Sequence, residues 1–202
     1  MAAFVTGVLG DDGLRAHVAS WVQRTADATR VVTLGQKLLQ LVVPGVPDVY
    51  QGTELVDRSL VDPDNRRAVD FATRTERLSR LDAGEEPRDL DDEKLLVTSR
   101  ALRLRREHPE WFTGAQATVR APRSDSEHGY AIARGDSSGD QVVGVVTRLP
   151  ATLHAWGDAG LAVPAGTWTD LLTGRVVSSE GQVPLARILD RMPVALLVRS
   201  HG

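Results

Sequence analysis

The 202-residue chain has no cysteine. That absence rules out disulfides, thiolate metal sites and a cysteine nucleophile together. Lysine is almost missing: only Lys37 and Lys94 occur, against 22 arginines. The bias fits coding composition, although a guanidinium also suits planar hydrogen bonding to sugars and carboxylates. Charge of one sign is lacking too. A formal net charge of -3 gives no basic field for nucleic acid or an acidic membrane surface. No apolar stretch approaches the roughly 20 residues that span a bilayer. The start, Met1-Ala-Ala-Phe-Val, has no early positive charge, and Gly7 and Gly10 break its short apolar run. It does not read as a signal peptide, so a cytoplasmic location is expected.

What remains is ordinary globular composition, 42% hydrophobic and 25% charged, which argues against disorder. Asp11 and Asp12 offer helix-start chemistry. Leu14, Val18, Trp21, Val22 and Thr25 then recur at helical spacing, predicting an amphipathic helix over 12–30. A second helix over 34–43, with Leu38, Leu39 and Leu41, is too apolar for a surface, and Pro44-Gly45 stops it. Residues 46–50 read as a short buried strand. A helix, a Pro-Gly turn and a strand make an α-to-β unit of parallel architecture. The polar stretch 52–70 holds seven charged side chains before Asp70 closes it. Long loops after parallel strands are where such folds place binding residues.

Helices are expected over 72–81 and from Asp91 to His108, where Pro109 ends the second. Arg100, Arg103, Arg105 and Arg106 read as a solvated helix face. Beyond Gly114 the texture changes. Short β-rich runs at 117–121, 130–134, 142–149, 167–171, 176–178 and 194–199 are separated by Gly, Pro, Ser and Asp clusters. They predict an antiparallel sheet or sandwich. The chain thus divides into residues 1–113, helical and α/β, and residues 114–202, all-β. The first part is too short for a closed (β/α)₈ barrel, which needs roughly 250 residues.

Two adjoining motifs are the most specific feature: PGVPDVYQGTEL (44–55) and LVDPDNRRAVDF (60–71). Together they resemble the end of the catalytic barrel in maltooligosyl trehalose synthases, a branch of the α-amylase superfamily. GTWTDLLTG (166–174) is similar to that superfamily's C-terminal β-sandwich. The resemblance implies the last helix-strand unit of a (β/α)₈ barrel and its following helices, joined to an antiparallel β-sandwich. It implies rearrangement of the reducing-end α-1,4 linkage of a maltooligosaccharide to α,α-1,1, which leaves a trehalose unit. Such chemistry needs a carboxylate nucleophile and a carboxylic acid roughly 5–5.5 Å apart. In the superfamily these follow earlier barrel strands. No segment here matches their motifs, so no catalytic residue is assigned to this chain.

The acids at hand, Asp48, Glu54, Asp57, Asp62 and Asp64, invite an acid/base reading, but organising the rim is the simpler role. Tyr50, Gln51 and Glu54 are the expected substrate-binding residues: a ring to pack on a sugar face and polar groups for its hydroxyls. Asp48, Asp62, Asp64, Asn65, Arg66 and Arg67 are expected around them, shaping the loop. The dispersed histidines lack metal-ligand spacing, so no metal or other cofactor is expected. Trp111, Phe112, Trp156 and Trp168 are expected in packing rather than stacked on glucose.

The implied partner is an α-1,4-glucan handled through the full-length enzyme, with a separate N-terminal barrel chain as one way to complete it. A non-catalytic glucan-binding or regulatory module is the alternative. A barrel end without its barrel predicts that Val46, Val49 and the leucines of 34–43 lie exposed or pair with a second chain.

Overall fold

A computed structural model describes residues 1–58 and 68–200. Four helices come first: α1 (Ala2–Gly10), α2 (Asp12–Val42), α3 (Phe71–Asp82) and α4 (Leu90–Glu107), with a 3₁₀ turn at Pro109–Trp111. Eight strands follow, β1 (Thr118–Arg120), β2 (Gly129–Asp136), β3 (Gly139–Thr147), β4 (Gly160–Leu161), β5 (Gly166–Asp170), β6 (Val176–Ser179), β7 (Val183–Pro184) and β8 (Val194–Arg199). A single helical turn, α5 (Leu185–Ile188), precedes β8.

Acidic caps set the helix starts. Asp11 accepts from Leu14 N–H, Asp70 from Thr73 N–H and Asp89 from Asp92 N–H, each satisfying a donor that the helix leaves orphaned. The two helices expected over 12–30 and 34–43 are one 31-residue helix. Val31, Val32 and Thr33 are mediocre helix formers, but no Gly, Pro or cap intervenes to stop the ladder. Helix α1 is an addition to the expectation, and it buries none of its residues.

Six strands form one antiparallel sheet in the order β1-β2-β3-β8-β5-β6, and β4 pairs with β7 in a separate two-stranded ribbon. β2 and β3 form a hairpin across Ser137, Ser138 and Gly139, and β8 inserts between β3 and β5. Both faces of the sheet are covered, so its central strands read as unbroken apolar runs rather than alternating ones. Ile132, Val142, Val146, Val194 and Leu196 share one core cluster with Leu34, Leu38, Leu41 and Val42 of α2 and with Leu95, Leu96, Val97 and Leu104 of α4. Ala131, Ala133, Val143, Val145, Ala195 and Leu197 face a second cluster with Trp168, Leu161, Val163 and Leu185.

The contact between helix and sheet is close at one point. A Cβ on Gly144 of β3 would lie 3.0 Å from Val42 Cγ2, so the bare backbone there lets the end of α2 sit down on the sheet. Arg134 adds a polar tie, donating to the Phe112 carbonyl at 2.6 Å from a buried position.

Two expectations about α2 and its exit need correcting. Leu34, Leu38 and Leu41 are fully buried within this chain, because α4 and the sheet cover them. Val46, by contrast, is 93% exposed. The strand expected over 46–50 is absent: these residues lie in no ladder, since no described strand runs beside them to accept and donate. The arginine face of α4 is also not a solvated one. Arg103 makes a paired contact to Asp82 and Arg100 donates to the Leu81 carbonyl. Arg105 lies over the Phe112 ring, and Arg106 stays exposed.

Candidate functional site

The turn at 50–56 is built from below by three helices. α2 ends at Val42, where Val43 N–H still reaches the Leu39 carbonyl. Gly45 then takes φ 125°, a conformation that disfavours any side chain. Arg105 of α4 donates to the Leu41 and Gly45 carbonyls at 2.9 and 2.8 Å, satisfying acceptors the helix end leaves open. Gln40 Nε2 reaches the Asp48 carbonyl at 2.6 Å. The chain therefore leaves α2 along a held path rather than a loose one.

Next, Thr53 donates from both its N–H and its hydroxyl to the Tyr50 carbonyl, at 2.9 and 2.6 Å, and Gly52 takes φ 89°. This closes a tight turn with Tyr50 and Gln51 on its outer side, both exposed. Arg74 of α3 grips the turn from inside. It donates to the Gly52 carbonyl at 2.6 Å and pairs with Glu54 at 3.0 Å. Asp91 accepts from Val56 N–H at 2.7 Å, and Lys94 Nζ donates to the Leu55 carbonyl at 2.7 Å. Of the expected substrate residues, Tyr50 and Gln51 thus face outward while Glu54 turns to an arginine.

Asp48 is exposed near them. Asp62, Asp64, Asn65, Arg66 and Arg67 lie outside the described residues. Arg74, Asp91, Lys37 and Lys94 are the residues that the sequence did not single out. Both lysines line one cavity of about 370 Å³ with Thr33, Gln36 and Gln40. The scarcity of lysine was itself the available signal.

Burial lowers the pKa of Lys37 and of Lys94; for Lys94 the neighbouring Lys37 charge acts in the same direction. Glu54 opposes the shift at both, which places its charge within reach of the pair.

The helices beneath are locked by a buried carboxylate. Asp92 is fully buried and accepts from Arg77 Nη1 at 2.6 Å, Arg80 Nη2 at 2.9 Å and Arg88 N–H at 3.1 Å. Burial alone would push its pKa up, but these donors outweigh it and hold the carboxyl below its usual range. Because α3 carries Arg74 and α4 carries Asp91 and Lys94, this junction fixes the turn's supports relative to each other.

The aromatic residues pack. Trp111 stacks on His108 at 3.7 Å, Trp168 is fully buried and donates to the Pro164 carbonyl, and Phe112 is buried. Trp156 is partly buried against the second cluster. Among the described residues, no group of three or more His, Asp or Glu is arranged to hold a metal ion, and no helix is long and apolar enough to cross a membrane.

No protein-family model matches the chain. Two curated relatives do, both from Mycobacterium tuberculosis (strains CDC 1551 / Oshkosh and ATCC 25618 / H37Rv) and both named as maltooligosyl trehalose synthases. Each is 44% identical over 193 residues, covering 94% of this chain and 22% of the relative. Among solved structures, the maltooligosyltrehalose synthase of Arthrobacter ramosus superimposes with a TM-score of 0.85 at 41% identity. That match covers 97% of this chain and 26% of the other. A glycosyltrehalose synthase at 23% identity shares the fold, with a TM-score of 0.72 over 98% of this chain. The chain therefore spans about a quarter of the length of the relatives it matches. Over nearly its whole length the chain is homologous to one part, about a quarter, of the maltooligosyl trehalose synthases.

Proposed function

We propose that this chain is the C-terminal part of a maltooligosyl trehalose synthase, a (1→4)-α-D-glucan 1-α-D-glucosylmutase acting in the cytoplasm. The reaction turns the reducing-end α-1,4 linkage of a maltooligosaccharide into α,α-1,1. The observation that carries this reading is the 44% identity over 94% of the chain, matched to under a quarter of each relative. The catalytic carboxylates come from outside this sequence, and the chain alone is inactive.

On this reading the chain divides near residue 113. The first part supplies the last helix-strand unit of a (β/α)₈ barrel and the helices after it; the second is the superfamily's β-sandwich. The 93% exposure of Val46, in a segment that pairs with no described strand, fits neighbours that lie elsewhere, whereas Val49 is partly buried against this chain's own core. The electrostatics of the turn support a binding rather than a catalytic role. Glu54 is engaged by Arg74, so its charge is spent on holding the turn. Tyr50 and Gln51 are exposed on the outer side of the turn, where the ring would meet the apolar face of a glucose unit and the amide its hydroxyls. Holding the sugar there keeps the released glucose close while it reorients, which favours attack by its anomeric hydroxyl over attack by water.

The test is a chimera in which this chain replaces the matched quarter of the Arthrobacter ramosus enzyme. It is expected to form trehalose-ended product from maltohexaose, and Tyr50→Ala or Gln51→Ala is expected to raise KM more than it lowers kcat. A folded chimera without product would refute the proposal.

A further inference from the structure

Two cavities adjoin where the helices meet the sheet. The first, about 450 Å³, is walled by Glu85 and Glu86 of the α3–α4 loop, by Glu93 and Arg100 of α4 and by the turn after β5. The second, about 260 Å³, lies between α2 and the loops leading into β4 and β8, with Pro150, Leu153 and Trp156 on its wall. Arg191 and Met192 line both, and the Arg30–Glu93 ion pair has one member on each. Asp27, Arg30 and Val31 stand at helical spacing with Leu34 and Leu38, so the groove lies on the side of α2 that this chain itself fills. No residue of the 50–56 turn lines either cavity.

The lining suits a neutral ligand rich in hydroxyls. Glu85, Glu86 and Glu93 would repel an anion, and Arg100 and Arg191 a cation. Glu86 and Arg191 have no hydrogen-bond or ion-pair partner among the described residues. That leaves a carboxylate to accept from hydroxyls and a guanidinium to donate to them. Trp156 supplies an apolar surface: it packs partly against the second core cluster and lines the second cavity, and its indole N–H has no partner among the described residues. Trp168, by contrast, is fully buried with its N–H bonded to the Pro164 carbonyl. An aromatic wall beside groups that bond hydroxyls fits a pyranose, which has an apolar C–H face and a rim of hydroxyls. Two adjoining cavities, the larger of ordinary small-molecule size, fit a chain of such units better than a single one.

We propose that this groove is a second α-1,4-glucan site, apart from the Tyr50 turn, in which a stretch of maltooligosaccharide lies with one glucose unit against Trp156 and its neighbours bonded by Arg191 and Glu86. The choice of an α-1,4-glucan rests on the family reading above. The groove holds the glucan away from the reacting end and takes no part in the chemistry.

The test titrates the isotope-labelled chain with maltohexaose and follows the indole N–H signals of its four tryptophans by NMR, with Trp156→Phe assigning the one from Trp156. The Trp156 signal is expected to shift saturably at millimolar sugar while those of Trp111 and Trp168 stay in place. In calorimetric titrations, Arg191→Met and Trp156→Ala are each expected to weaken binding about tenfold. Arg191 is exposed and unpaired among the described residues, so its substitution does not depend on refolding of the core. Tyr50→Ala with Gln51→Ala is expected to leave the Trp156 shift in place.

A Trp156 signal that maltohexaose does not move, or a shift that Tyr50→Ala with Gln51→Ala abolishes, would overturn the groove. The proposed function would still stand, because the chimera tests it by product. Sodium sulfate moving the Trp156 signal as far as maltohexaose does would make this an anion site and overturn the proposal likewise. A shift at Trp156 in a chain whose chimera forms no product would support the groove and count against the proposed function.

Discussion

Replacing Asp92 with asparagine probes the junction that holds the candidate site together. The side chain is fully buried and accepts from Arg77, Arg80 and Arg88 N–H. Breaking a buried ion pair by removing one partner costs about 3–5 kcal/mol. Two features reduce that here. Arg77 keeps Asp89 and Arg80 keeps Glu85, although both acids are about half exposed and so compensate only weakly. The amide also retains one acceptor oxygen. The expected loss for Asp92→Asn is therefore about 3 kcal/mol. At roughly 2–4 °C per kcal/mol for a chain of this size, Tm should fall by about 6–12 °C.

Acid adds a second signature. The folded carboxyl titrates below its usual value, so its contribution is complete above about pH 4, where the unfolded carboxyl is ionised. It is lost as pH falls through the folded value. The gap between wild type and variant should hold steady from neutral pH to mild acid and then close. Thermal melts read by circular dichroism measure both. The exposed Glu76, replaced by glutamine, serves as the control, with a change within about 0.5 kcal/mol. An Asp92→Asn variant as mild as that control would refute the argument.

Gly144→Ala is expected to destabilise by about 1–3 kcal/mol through overpacking against Val42. Combining it with Val42→Ala should cost less than the sum of the two single changes, and additive losses in a double-mutant cycle would show that the two residues are not in close contact. Arg105→Met removes the bonds to the Leu41 and Gly45 carbonyls and is expected to cost about 1–3 kcal/mol. In hydrogen exchange, the amides at the end of α2 should open first.

Legibility in the sequence followed the range of the interactions. The six longer runs of the sheet could be read because Gly, Pro, Ser and Asp punctuate them and their periodicity is local. The two-residue strands β4 and β7 and the one-turn α5 are too short to carry any period. The two helices expected over 12–30 and 34–43 differ in apolar pattern, but a change of pattern does not stop the hydrogen-bond ladder, and α2 runs through.

The arginines of α4 looked solvated because their acceptors, Asp82 and the Leu41 and Gly45 carbonyls, are 21 to 64 residues away. The site divides in the same way. Tyr50, Gln51 and Glu54 stand in one contiguous motif, which is why the sequence alone could nominate them. The supports Arg74, Asp91 and Lys94, and the partnership of Lys94 with Lys37, depend on how α2, α3 and α4 come together. No spacing along the chain shows that.

The central claim, a glucosylmutase part without a catalytic centre of its own, is tested most directly by product analysis after incubation with maltohexaose. The chain alone is predicted to form no trehalose-ended product and to release no reducing sugar, whereas the chimera forms the trehalose-ended product. Turnover by the chain alone, abolished by Asp48→Asn or Glu54→Gln, would contradict the account and make the acids of the turn catalytic.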